Sequence, residues 1–209
     1  MVVLIAVPTF ETVSPDTFKS IYGLDCGGHD TLFDFVRGYD CANARNNIGH
    51  LAQHEGADYV LMVDSDVVLP EDALVNLLDP AADVCCGYYV RKGANRDTTC
   101  AFKLERPDGR PYADYTVGGC YSLEELHALR DGGQTRVEVH ASGMGCALVR
   151  TEVFHELPYP WFDWVNRNNG KTLSEDMYFH EKCREAGIET WVDTRVGCGH
   201  LFTEVLGAM

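Results

Sequence analysis

Apolar residues run without interruption from Val2 to Val7, where Pro8 closes the run. Continuous, β-branched stretches of this kind are buried on both faces, as in the strands of a parallel sheet. Residues 58–63 and 83–90 repeat the pattern, and 31–36 makes a further strand. Helical signals fall between them. Ser14-Pro15-Asp16 supplies a cap and a first-turn proline for a helix over Thr17–Tyr22. Ala44, Ile48, Leu51 and Ala52 recur near helical spacing within Asn43–Glu55, and Gly56 ends that stretch. Pro70-Glu71-Asp72 opens a short helix through Leu78, with acids at its positive end. The alternation β-α-β-α-β predicts an α/β sheet, parallel at least in its first half.

The pattern changes after Val90. Residues 91–133 hold Gly93, Pro107-Asp108-Gly109, Pro111, Gly118-Gly119 and Gly132-Gly133. This reads as a loop-rich excursion of short strands, with one helix at 122–130 opened by Ser122 and Glu125 in capping-box spacing. Its glycines and prolines also suggest a mobile lid. Strand character resumes over 137–150 around a Gly143-Met144-Gly145 break. A short helix at 151–157, an aromatic loop at 158–169, a helix at 174–186 stopped by Gly187 and a last strand at 189–193 complete the chain. With 209 residues, one domain is expected: a nucleotide-binding half (1–90), the excursion (91–133) and a completing half (134–209).

Charge narrows the partners. Lys and Arg number 17 against 32 Asp and Glu, a formal net charge of −15. That disfavours broad neutralisation of a nucleic-acid backbone, so nucleic acid remains only as an acceptor of chemistry. Arg91, Lys92, Arg96, Lys103, Arg106 and Arg110 nonetheless crowd one stretch, either as a solvated loop or as the seat of a phosphate or anionic acceptor. The nine cysteines lack any C-x-x-C pair and read as reduced, mostly buried thiols. The first residues carry neither a basic flank nor a cleavage-like segment, and no apolar run reaches bilayer length. A cytoplasmic setting is expected.

Three constellations carry candidate chemistry. Asp64-Ser65-Asp66 follows directly on the apolar run 59–63, so two carboxylates stand where α/β sheets bind ligands and can share a Mg²⁺ or Mn²⁺. Ser174-Glu175-Asp176 opens a helix, either as cap and dipole partners or as a carboxylate aimed at a crevice. His200 lies beyond the last strand after Gly197-Cys198-Gly199, either as a surface histidine or as a nitrogen ligand completing the Asp64/Asp66 site. His50 and His54 lie four apart but lack a third zinc ligand, and an exposed helix face explains them. No Walker A, G-x-G-x-x-G or G-x-S-x-G pattern occurs.

The order of these pieces resembles the GT-A glycosyltransferases, small family-2-like members of bacterial and phage type above all. The matching segments are Val3–Thr9, Ala44-Arg45-Asn46, Leu61–Asp66, Gly143–Leu148, Ser174-Glu175-Asp176, and Val192-Asp193 through Gly199-His200. The resemblance implies a single Rossmann-like GT-A domain with a mixed, mostly parallel central sheet flanked by helices. It implies transfer of a sugar from a nucleoside-diphosphate sugar, a UDP-sugar over a GDP-sugar, to an acceptor hydroxyl on a glycan, protein, small molecule or hydroxymethylated DNA base. It places Pro8, Thr9 and Glu11 along the nucleoside, Arg45 facing the nucleotide and Lys92 on a phosphate. Asp64 contacts ribose or metal, Asp66 and His200 ligate Mn²⁺ or Mg²⁺, and Glu175 and Asp176 face acceptor or sugar as the catalytic pair. A helix-start aspartate is typical of inverting members and the histidine of retaining ones; retention is the preferred reading. A sugar-phosphate nucleotidyltransferase and a non-catalytic nucleotide-sugar-binding module are the alternatives.

Overall fold

The computed structural model describes residues 1–10, 12–78, 82–93, 97–105, 116–167 and 172–201. Its strands are β1 (Val2–Thr9), β2 (Asp30–Arg37), β3 (Tyr59–Val63), β4 (Val67–Val68), β5 (Val84–Tyr88), β6 (Thr98–Glu105), β7 (Thr116–Ser122), β8 (Arg136–Ala141), β9 (Cys146–Arg150), β10 (Val165–Asn166), β11 (Thr172–Leu173), β12 (Thr190–Gly197) and β13 (Gly199–His200). The helices are α1 (Pro15–Tyr22), α2 (Cys41–His54), α3 (Ala73–Leu78), α4 (Leu123–Asp131), α5 (Val153–Glu156) and α6 (Glu175–Glu185). Nine strands form one sheet in the order β2-β1-β3-β9-β5-β12-β8-β6-β7. Strands β2, β1, β3, β5, β12 and β6 run one way, and β9, β8 and β7 run the other. This is a mixed α/β sheet, mostly of one direction, flanked by helices.

Local chemistry explains the elements. Every residue of β3 and β5 is buried, as a continuous apolar run requires. The Asp40 carboxylate accepts from Asn43 N at 2.7 Å and caps α2. Gly56 at φ 64° and Gly187 at φ 79° end α2 and α6 in the left-handed region. Ser122 and Glu125 form the full capping box of α4. α2, α5 and α6 meet around an aromatic cluster in which Phe162 stacks on Phe179 at 4.6 Å and Phe154 meets Trp161 at 4.9 Å. Asn46 pins the aromatic loop by accepting from Trp161 N and Phe162 N and donating to Phe162 O.

Three expectations need amendment. β1 continues through Pro8 and Thr9, because its pairing with β3 ends at Ala6 and only β2 continues alongside. β12 extends to Gly197 through the polar run Asp193-Thr194-Arg195; Arg195 donates to both oxygens of the fully buried Asp193, at 3.0 and 2.6 Å. The excursion contributes β6 and β7 to the edge of the main sheet, with Gly118 and Gly119 inside β7, while Pro107 and Gly109 of the suggested lid lie outside the described residues. All nine cysteines are free thiols. Among the described residues no helix is long and apolar enough to cross a membrane.

Candidate functional site

β1, β3, β5 and β12 point their carboxyl ends to one edge, and the candidate side chains gather there. The 64–67 turn closes with Val67 N donating to Asp64 O, and Asp64 N donates to Gly145 O at 3.0 Å. Two short strands then fix His200. β4 pairs with β13, placing His200 opposite Val67, and Leu201 N donates to Asp66 O at 2.8 Å. His200 Nε2 consequently lies 3.7 Å from Asp66 Oδ1. Its other nitrogen, Nδ1, is 2.7 Å from Val90 O. A carbonyl only accepts, so neutral His200 carries its proton on Nδ1 and turns the Nε2 lone pair towards Asp66.

Tyr89, which the sequence reading passed over, holds this corner together. Its buried hydroxyl accepts from Gly145 N at 3.0 Å, and its ring meets His200 edge-on at 4.9 Å. A Cβ at Gly143 would come within 2.3 Å of the Tyr89 hydroxyl, and one at Gly145 within 2.9 Å of Asp64 Oδ2. The Gly-x-Gly turn is therefore a close backbone approach. The one signal for Tyr89 was its place at the end of a buried strand, two residues before the basic stretch.

The two aspartates of the 64–66 motif are used differently. Asp64 Oδ1 accepts from Arg45 Nη2 at 2.7 Å, and the same guanidinium binds Glu175. Arg45 is 3% exposed and Glu175 6%. Burial works against the charged guanidinium, but Asp64 and Glu175 outweigh it and hold Arg45 protonated. Burial likewise pushes the Glu175 carboxyl up, opposed by Arg45. Asp66 instead pairs with Lys92. Asp64, Asp66 and His200 therefore do not converge on one point, and among the described residues no group of three His, Cys, Asp or Glu side chains is arranged as a metal site.

The remaining candidates fall as follows. Pro8 and Thr9 are buried, with Thr9 Oγ1 donating to Thr12 O, and neither lines the two clefts described next. Glu11 lies outside the described residues, as do Arg96, Arg106 and Arg110. Asp176 is half-buried and Lys92 is exposed. An open cleft of about 680 Å³ is lined by Thr12–Pro15, Ser65, Asp66 and Lys92. A smaller one of about 230 Å³ is lined by Asp176, Ser174, Gly143, Lys92, His200 and Arg91, among others. Lys92 belongs to both, so the Asp66–Lys92 pair stands between them. Ser174 occupies the N-cap position of α6, yet its hydroxyl bonds no backbone N–H and donates to Asp176 instead. This corrects the expectation of a capping serine. His50, exposed on α2, meets the Tyr159 and Trp161 rings at tilted angles. Lys103, from the basic stretch, pairs with Glu125 away from the site.

This mixed-sheet topology has solved counterparts. The chain superposes on the crystal structure of GalNAc-T7 with UDP, GalNAc and Mn²⁺ at a TM-score of 0.63, with 9% identity, over 96% of this chain and 44% of that one. The fold is that of the GT-A glycosyltransferases. A second match is the crystal structure of A197 from STIV, with a TM-score of 0.62 and 17% identity over 97% of this chain and 87% of that one. No protein-family model matches the chain, and no curated protein does. The chain spans less than half the length of the GalNAc-T7 chain it matches.

Behind the GT-A edge, His180 on α6 is fully buried. Its Nε2 donates to Ser142 O at 2.9 Å and its Nδ1 accepts from Thr190 Oγ1 at 3.0 Å. Burial pushes its pKa down to about 4, and burial with Arg184 nearby does the same for His140. A histidine lowered in the fold binds fewer protons than in the unfolded chain between pH 4 and the ordinary value of about 6.5. Its contribution is complete above that value and is lost as pH falls through the window. Denaturant unfolding at pH 7 and pH 4.5 should show the stability gap between wild type and His180→Gln narrowing in acid, by at most about 3 kcal/mol. A gap independent of pH contradicts the buried neutral histidine.

Proposed function

We propose that this chain is a glycosyltransferase that moves a sugar from a nucleoside-diphosphate sugar, a UDP-sugar in preference to a GDP-sugar, to an acceptor hydroxyl. The observation that carries the reading is the approach of His200 Nε2 to Asp66 Oδ1 between two clefts at the carboxyl edge of a GT-A sheet. A carboxylate oxygen and an imidazole nitrogen suit Mn²⁺ or Mg²⁺, so Asp66 and His200 are the residues that would hold the cation. Asp64 belongs to the Arg45 clamp and acts behind them. A bound divalent cation supplies positive charge to the diphosphate leaving group. The Mn²⁺ and UDP held by GalNAc-T7 support this assignment.

The chain's own groups perform the rest. The larger cleft, within residues 1–90 apart from Lys92 and Leu201 at its rim, takes the nucleotide. Lys92 stands between the clefts and counters the charge that develops on the diphosphate as the glycosidic bond breaks. Asp176 looks into the smaller cleft, where it orients the acceptor hydroxyl or takes its proton. Glu175, bound to Arg45, fixes the start of α6 and so the position of Asp176. A retaining course is the preferred stereochemistry.

Incubation of the purified protein with UDP-sugars, with and without Mn²⁺, tests the reading through the released products. Release of UDP with Mn²⁺ dependence is expected. Release of UMP or pyrophosphate would instead indicate nucleotidyl chemistry. Binding without any turnover, in the presence of candidate acceptors, would indicate a nucleotide-sugar-binding module.

A further inference from the structure

The smaller cleft carries a cation that the proposed transfer does not use. Arg91 lines it together with Asp176, Gly143 and His200. The backbone there is fixed by a short two-stranded ladder: Arg91 N donates to Thr98 O at 3.0 Å, Cys100 N donates to Tyr89 O at 3.0 Å, and Val90 bridges Thr99. The guanidinium lies over the Phe102 ring, 5.4 Å from its centroid. Its polar partner among the described residues is the thiol sulfur of Cys120, at 3.6 Å, a weak acceptor. Among the described residues no carboxylate pairs with it, although acids outnumber bases 32 to 17 in the chain. Lys92 and Lys103, its neighbours in the basic stretch, are both paired. Stacking on an aromatic face leaves the in-plane N–H groups of arginine free for an oxyanion, which they meet in a two-pronged geometry.

Position separates this cation from the leaving group. Lys92 borders both clefts, whereas Arg91 borders only the smaller one, on the Asp176 side. We infer that Arg91 is a specificity residue that binds a carboxylate or phosphate carried by the acceptor. This rests on the reading of the smaller cleft as the acceptor side. The oxyanion would meet the guanidinium while the acceptor hydroxyl lies against Asp176, so one small cleft would hold an anionic and a reacting group of the same molecule.

The test uses glucuronate, glucose 6-phosphate and glucose as probes, titrated calorimetrically into the whole protein with UDP and Mn²⁺ present. Either anionic probe is expected to bind at least about tenfold tighter than glucose, with an advantage that shrinks as salt rises. Arg91→Gln should erase the advantage, and Arg91→Lys should keep part of it. Failure of both anions to exceed glucose, or an advantage untouched by Arg91→Gln, overturns the inference. UDP-glucuronate and UDP-glucose form a second arm. An Arg91-dependent preference between those donors places the anion on the donor sugar and overturns the acceptor assignment. Loss of UDP affinity in Arg91→Gln assigns the residue to the leaving group and does the same. Repeating the probe titrations without nucleotide separates this inference from the parent reading: UDP failing to bind defeats the glycosyltransferase proposal, while an Arg91-dependent preference for anions would persist.

Discussion

Asp66→Ala is expected to lose more than about 100-fold in Mn²⁺-dependent turnover while keeping its fold. Removing an outer-shell partner of a metal already costs 10- to 100-fold in typical sites, and Asp66 is proposed as a direct ligand. Its structural role is small. The carboxylate is 37% exposed and its partner Lys92 is 43% exposed, so their pair contributes at most about 1 kcal/mol. Asp64→Ala should behave in the opposite sense. It deprives the buried Arg45 of one of two carboxylates, a charge-assisted bond worth on the order of 2 kcal/mol. Thermal melts and turnover at limiting Mn²⁺, measured on both variants, separate the roles. Full activity in Asp66→Ala would remove the proposed ligand. Equal melting temperatures for Asp64→Ala and wild type would remove the clamp.

That division was only half legible in the sequence. The apolar run 59–63 breaking into two acids located the motif, because strand burial and the exposed strand end are both written in hydropathy. Which acid does which task was not, because the partner of Asp64 is Arg45, on another element. A hint existed in α2, where Arg45 shares the buried face with Ala42 and Ile48 at helical spacing. A charged side chain on that face needs buried counter-charges, and Asp64 and Glu175 provide them. The extension of β12 was hidden for a related reason. The strand reads as ending at Asp193 until its carboxylate is seen bound by Arg195 further along the same strand. Long-range placement was the least legible. β9 lies between β3 and β5, and β6 and β7 form the far edge, because sheet order depends on pairings that local periodicity does not encode. The approach of His200 to Asp66 depends on the two-residue pairing of β4 with β13, too short to leave a pattern.

Asp176→Asn is expected to keep stability and lose most transfer. The carboxylate accepts from Met177 N at 2.8 Å and from the Ser174 hydroxyl, bonds that an asparagine oxygen can also accept. The variant therefore preserves the helix start and removes only the charge and the capacity to take a proton. Removal of a general base costs roughly 10²-fold or more. If Asp176 is that base, the loss reaches this size and the product is inverted at the anomeric carbon. If it orients the acceptor, the loss is smaller and the product is retained. Ser174 now belongs to the same test. A capping serine replaced by alanine would cost about 1 kcal/mol of stability. Its hydroxyl caps no backbone group, and α6 has Met177 where α4, with its full capping box, has Glu125. Ser174→Ala should therefore leave the melting temperature nearly unchanged and slow transfer several-fold through a misdirected Asp176, with Ser174→Thr restoring the rate. A lowered melting temperature with an unaltered rate would restore the capping role. Product configuration by NMR, read beside the Asp176→Asn rate, decides the stereochemistry, and an unimpaired Asp176→Asn enzyme would leave Asp176 as a charged helix start and nothing more.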